Sequence, residues 1–332
     1  MREPLSKCEG ERPPSPAPSV HPSVHLPRCG CAQAAGPSVG RPRLLDNWAV
    51  AAAHDIDPRA AVHSWARRYC AEQDAAWSRR YADKRRGREA EIPYRYTDED
   101  YSIFPRYNVL RAILQAVERL EPTEFASEGE LREALVAAVR TASSPFTSAP
   151  NDTAAASMAD ERASMEEALA RVDSASLLAI PLLPYRRVLG DAESTEVRSR
   201  LRNRWGADGT SYWFPLASPR PTGMEAFQAP WLLYELPATE LQGILGRRGI
   251  DRLWEIREGG PDYLIDRSLF EANYNGQEGY WTSEGPDWIL YASHESSITI
   301  GGWLLDVVRT AWPQHRDHIY EGWEFEWPPS PG

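Results

Sequence analysis

The stretch DWILYASHESSITIGGWLL, residues 287–305, sets His294 and Glu295 among Ser293, Ser296 and Ser297, between two apolar runs. A histidine beside a carboxylate is the pair that general acid–base chemistry uses, and a nearby hydroxyl is a candidate nucleophile or ligand donor. Asp287 opens the same stretch, so that His294, Glu295 and Asp287 form the candidate set of a hydrolase or metal-dependent enzyme. The plainer reading is that Ser, His and Glu sit at a tight connection, where backbone groups need side-chain partners. Neighbours on a strand point to opposite faces, which argues against direct pairing of His294 with Glu295.

Other stretches approach a catalytic pattern and miss it. Residues 294–298 read HESSI, with Ile298 where HExxH needs its second histidine, and the β-branched surroundings do not suit that motif's helix. His315-Arg316-Asp317 mimics a kinase catalytic loop, but Gly322 stands where asparagine is required. His315 and His318 could share one helical face around a metal, yet only Asp317 stands near them at ligand spacing, so a solvated surface is expected. Neither a Walker loop, a nucleophile elbow nor a dinucleotide fingerprint occurs, and no cofactor is implied. Glu258, Asp262, Asp266, Glu271 and Glu278 lie among Gly, Pro and Asn. They read as loop surface, or as a glycosidase-like pair or cation site if brought together.

Composition turns the argument toward interaction. The 332 residues carry a net charge of −11, and residues 173–332 hold 23 Asp and Glu against 14 Lys and Arg, a local −9. Phosphate-backbone binding is built on clustered Lys and Arg, so nucleic acid is not the expected partner and a basic protein is. Thirteen tryptophans are dense for this length. Of Trp281, Trp288, Trp303, Trp312, Trp323 and Trp327 most should be core, but a part-exposed cluster would anchor a protein contact. Trp281, Trp288, Trp303 and Trp323, with Glu278 and Glu284, are the candidate contact residues. The cysteines are Cys8, Cys29, Cys31 and Cys70, which leaves the C-terminal part without disulfide or thiolate metal site and points to a reducing, cytoplasmic compartment. No apolar run is long enough for a membrane span. Oligomeric state leaves no mark on the sequence.

The elements that would position these residues fall into three regions. Residues 1–43 are rich in Pro, Ser, Ala and Gly and should be disordered, because they cannot bury enough surface to offset the entropy of ordering. A start assigned too early would account for them, and a native mass short by roughly forty residues would support that. Residues 44–172 predict a helical domain. Val62, Trp65, Ala66, Tyr69, Cys70, Trp77 and Tyr81 follow one helical face, with Pro58 near its start and a basic end from Arg79, Arg80, Lys84, Arg85, Arg86 and Arg88. That basic end reads as a solvated face complementing the helix dipole. Further stripes run through Leu110, Ile113, Leu114, Val117 and Leu120, then Leu131, Leu135, Val136 and Val139, then Met165, Leu169 and Val172, with 141–157 as a loop.

Residues 173–327 predict an α+β domain on a small antiparallel sheet. Helices are expected in ESTEVRSRLRNRWG, stopped by Gly206, in PATELQGILGRRGI, capped by Gly249, and over Trp303–Ala311. Strands are expected at SYWFPL, at 250–256, at 263–265, and as a pair at 288–293 and 297–300. The alternation in WEFEW suits an edge strand.

FPRYNVLRAIL and DWILYASHESSITIGGWLL resemble segments of a bacterial protein family that has no assigned activity. In composition and strand–helix order the C-terminal half is also similar to the acidic, Trp-rich immunity and adaptor proteins of the SUKH type. Neither resemblance supplies a functional residue; the first gives a family without an activity, and the second implies interaction. The expectation is a soluble bacterial interaction module, immunity- or defence-associated, with a hydrolase or metal-dependent enzyme around His294 as the alternative and a nucleic-acid-associated regulator using Arg79 to Arg88 as a weaker third.

Overall fold

The computed structural model describes residues 56–87, 95–207, 213–217, 221–322 and 327–329. The expected disordered tail, Cys8, Cys29, Cys31, Arg88 and most of WEFEW lie outside them. The class is α+β: a helical N-terminal part followed by a seven-stranded antiparallel sheet with its own helices.

Each of the first four helices starts on a side chain that answers a free N–H. Helix α1 (Pro58–Arg85) follows Asp57, whose carboxylate accepts from Arg59 N at 2.8 Å, and Pro58 takes the first position, where its missing N–H costs nothing. Helix α2 (Asp98–Val117) begins with a reciprocal Thr97–Asp100 capping box. Ser127 caps α3 (Glu128–Thr141) and Asn151 caps α4 (Asp152–Arg171). The loop expected over 141–157 therefore ends at Asn151, because a good cap outweighs the run of Ala and Ser that follows it. Val62, Ala66 and Cys70 of α1 meet Val109, Ile113 and Val117 of α2, Leu131 and Leu135 of α3, and Met165 and Leu169 of α4. Each fully buried aliphatic side chain contributes about 1.5–3 kcal/mol, which is what holds four caps' worth of helices together.

A short turn, α5 (Ser174–Leu177), leads to β1 (Arg186–Val188), then α6 (Asp191–Trp205), β2 (Met224–Gln228), α7 (Ala229–Glu235), α8 (Ala238–Arg247), β3 (Arg252–Arg257), β4 (Tyr263–Asp266), β5 (Gly279–Thr282), β6 (Trp288–Ala292), β7 (Ser297–Gly302) and α9 (Trp303–Ala311). Spatial order is β1-β4-β3-β5-β6-β7-β2. Strand β6 shows why its sequence is apolar throughout. Trp288, Leu290 and Ala292 face a core shared with α7, α8 and α9, while Ile289 and Tyr291 face a second core with Val197, Leu201 and Trp205 of α6. A sheet covered on both faces needs no polar alternation.

Three strands escaped the sequence reading: β1, β2 and β5 are short, and two of them lie at the sheet's edges. SYWFPL is not a strand where it is described, since Phe214, Pro215 and Leu216 form a turn. Both sheet edges are occupied by segments from outside the sheet. On β1, Val188 N donates to Glu118 O at 2.8 Å. On β2, Phe227 bridges Ile319, and Tyr320 N donates to Ala226 O at 2.8 Å.

The helical part meets the sheet through buried charge. The Glu118 carboxylate, at the end of α2, lies 3.3 Å from Arg67 Nε of α1 and 3.5 Å from Arg186 Nε of β1. Arg186 also lies over the Tyr263 ring, 3.9 Å from its centre.

Candidate functional site

The polar knot at 293–297 closes the β6–β7 hairpin. Ser293 N donates to Ser297 O at 3.0 Å, the two hydroxyls lie 2.7 Å apart, and Glu295 N donates to Ser293 Oγ at 3.2 Å. Both serines are buried. These bonds staple the turn closed. Ser296 takes a left-handed φ of 56°, which turns the chain sharply enough to change the geometry of its neighbours.

That turn overturns the expectation that His294 and Glu295 point apart. The opposite-faces rule holds on a strand, but both residues lie on the turn, and His294 Nε2 is 2.8 Å from Glu295 Oε1. The other ring nitrogen, Nδ1, is 2.5 Å from Glu278 Oε1. Glu278 immediately precedes β5 and is buried to 1% exposure, and its second oxygen accepts the Tyr291 hydroxyl. Burial and that bond to Glu278 raise the Tyr291 phenol well above its ordinary value, so it acts as a donor. A continuous line of close polar contacts therefore runs Tyr291–Glu278–His294–Glu295, with the last two members lining an open cleft. Glu278, already among the candidate residues, acts here as the buried anchor of His294, not as a surface contact.

The cleft encloses about 570 Å³. One wall is the Phe214-Pro215-Leu216 turn, fixed by Thr299 Oγ1 donating to Phe214 O at 2.7 Å. Another part of the lining is Tyr320-Glu321-Gly322, carried by the segment that pairs with β2. The Tyr320 phenol is raised by burial first and then by the charge of Glu295. Glu295 contributes an unusual feature: its Oε2 is buried with no hydrogen-bond partner among the described residues. The exposed Tyr274 ring sits 6.2 Å from the His294 ring, outside this wall.

The remaining candidates are dispersed. Asp287 lies at the far end of β6, roughly 17 Å away at a strand's rise, where its carboxylate accepts from Trp303 Nε1 at 3.3 Å. Trp281 and Trp288 are fully inside the core and cannot anchor a partner, Trp303 is half-buried against them, and Glu284 is exposed on the turn after β5. Trp323 lies outside the described residues. The scattered carboxylates do not converge: Asp262 is buried on Arg198 at 2.7 Å, and Asp266 caps a short turn through Ser268 N. His315 is buried rather than solvated, with Nδ1 2.9 Å from Trp312 O, and His318 stacks between Trp231 and Trp312. No three His, Cys, Asp or Glu side chains are grouped as a metal site among the described residues. No helix among them is long and apolar enough to cross a membrane.

Sequence reasoning missed Tyr291, Phe214, Tyr320 and Glu321. For the Glu278–His294 contact a signal existed. The Gly285-Pro286 turn joins β5 to β6 with Trp281 opposite Leu290 and Gly279 opposite Ala292, and extending that register brings Glu278 beside residues 293 and 294. Phe214 and Tyr320 arrive from 80 residues before and 26 after His294, and no local pattern announces them. Compared with family models, with curated proteins and with solved structures, the chain finds no match.

Proposed function

We propose that this protein is an interaction module that captures a basic protein partner at the cleft beside the β6–β7 turn. One observation carries the reading: the cleft is lined by Glu295 and Glu321 with no Lys or Arg among its described lining residues, and a buried oxygen of Glu295 has no donor among the described residues. The net −9 of residues 173–332 adds a long-range field that draws a cationic partner toward it. The acidic, aromatic resemblance to SUKH immunity proteins favours a defence-associated setting, and the cysteine distribution favours the bacterial cytoplasm.

The line of polar contacts Tyr291–Glu278–His294–Glu295 favours a second reading, in which Glu295 acts as a general base or acid with His294 and Glu278 holding it in register. Binding separates from catalysis by a charge-matched comparison on immobilised poly-lysine. Glu295→Lys with Glu321→Lys should elute at distinctly lower salt than Glu124→Lys with Glu133→Lys, two exposed glutamates of the helical part. Equal elution of the two pairs means that net charge alone governs retention, and the binding assignment then fails.

A further inference from the structure

We infer that the cleft receives the guanidinium of an arginine side chain, so that the partner's contact residue is arginine rather than lysine. The inference rests on the binding reading above and deepens it by naming the group that enters.

Three features converge on that chemistry. The first is the acceptor. Glu295 is held from one side by His294 at 2.8 Å, and His294 is itself held by the buried Glu278, so one carboxylate oxygen is committed while Oε2 lacks a donor. The Glu295 side chain is only 12% exposed. Oε2 itself is sealed from solvent, so the carboxylate must turn toward the cleft for a donor to reach it. The second feature is the walls. Tyr320 and Phe214 flank the opening, and a planar guanidinium stacks on aromatic rings in a way that a tetrahedral ammonium does not. The third is hydration. A lysine ammonium is a compact, strongly hydrated charge that would have to shed its shell to reach a nearly buried oxygen. Guanidinium is more weakly hydrated and can divide its N–H groups between two acceptors, here Glu295 and the exposed Glu321, which line the same cleft. A cleft of about 570 Å³ has room for the side chain and the backbone on either side of it.

The test uses small probes and the full chain. N-acetyl-arginine methylamide, the neutral citrulline analogue of the same shape, and the lysine analogue are titrated while the His294 ring resonances are followed by NMR, assigned with His294→Gln. The arginine compound should shift the His294 signals saturably, citrulline should leave them unmoved, and lysine should bind at least about tenfold more weakly. Glu295→Gln should abolish the shift, and Glu321→Gln should weaken it without disturbing the hairpin, which keeps the test open if the first variant folds poorly. A citrulline response equal to that of arginine, equal affinity for lysine, or an arginine titration that moves no His294 signal overturns the assignment. If the last occurs while poly-lysine retention still depends on Glu295 and Glu321, the arginine site falls and the interaction reading stands. Retention that ignores both glutamates removes that reading by itself.

Discussion

His63 makes the stability of the helical part depend on pH in a calculable way. It lies on α1 with Nε2 2.9 Å from the Val117 carbonyl at the end of α2, and its side chain is buried. Burial lowers its affinity for a proton, the Val117 carbonyl partly opposes this, and the charge of Arg67 adds to it, leaving it down at about 4 from an ordinary 6.5. The unfolded chain therefore takes up a proton near pH 6.5 that the folded chain refuses until about pH 4. Stability contributed by the neutral ring is complete above 6.5 and is lost as pH falls through that window. At about 1.4 kcal/mol per pH unit, the gap amounts to about 3 kcal/mol. Urea unfolding followed by tryptophan fluorescence at intervals from pH 7.5 to 4 would measure it, with His63→Gln as the reference. Glutamine keeps a donor for Val117 O but does not titrate, and carboxylates common to both proteins cancel in the difference. The variant should start less stable at pH 7.5, and the gap should close by about 3 kcal/mol, or reverse, by pH 4. A difference that stays constant within about 0.5 kcal/mol across the range would refute the argument.

Further outcomes follow from single contacts. Glu118→Ala leaves Arg67 and Arg186 facing each other without their shared anion and should cost about 3–5 kcal/mol in chemical unfolding, with Glu118→Gln costing less. Gly302→Ala should cost at least about 3 kcal/mol, because its φ is +69° and a Cβ there would lie 1.9 Å from Asp287 O; a lowered melting temperature checks it. Burial pushes the Cys70 thiol upward and its Sγ lies 3.6 Å from Met165 Sδ, so iodoacetamide should leave the Cys70 peptide unlabelled in the native protein and label it in urea, read by mass spectrometry.

The parts of the fold that were legible in the sequence were those that carry their own signal. Apolar stripes marked the helices, with Pro58 near the start of the first, and two apolar runs around a polar turn marked the β6–β7 hairpin. The site was half legible. His294 and Glu295 stood out by residue type, but the rule used to judge them belonged to strands, and the left-handed Ser296 put them on a turn instead. The aromatic contact surface was misjudged because tryptophan density does not distinguish a core from a face, and Trp281 and Trp288 are packed inside. Strands of three to five residues such as β1 and β2 owe their form to neighbours far away in the chain, which no local pattern records.

The capped edges of the sheet carry a consequence for how this protein can associate. An open outer strand offers a row of unpaired amides and carbonyls on which another chain can polymerise or lay down a strand of its own. Here Glu118 O occupies one border at Val188, and the Ile319–Tyr320 pairing with Phe227 and Ala226 occupies the other. Backbone zippering is thereby closed off at those points, which leaves recognition to side chains. The segment that seals β2 is also the one that carries Tyr320 and Glu321, so the same few residues guard the sheet against self-assembly and shape the mouth of the cleft.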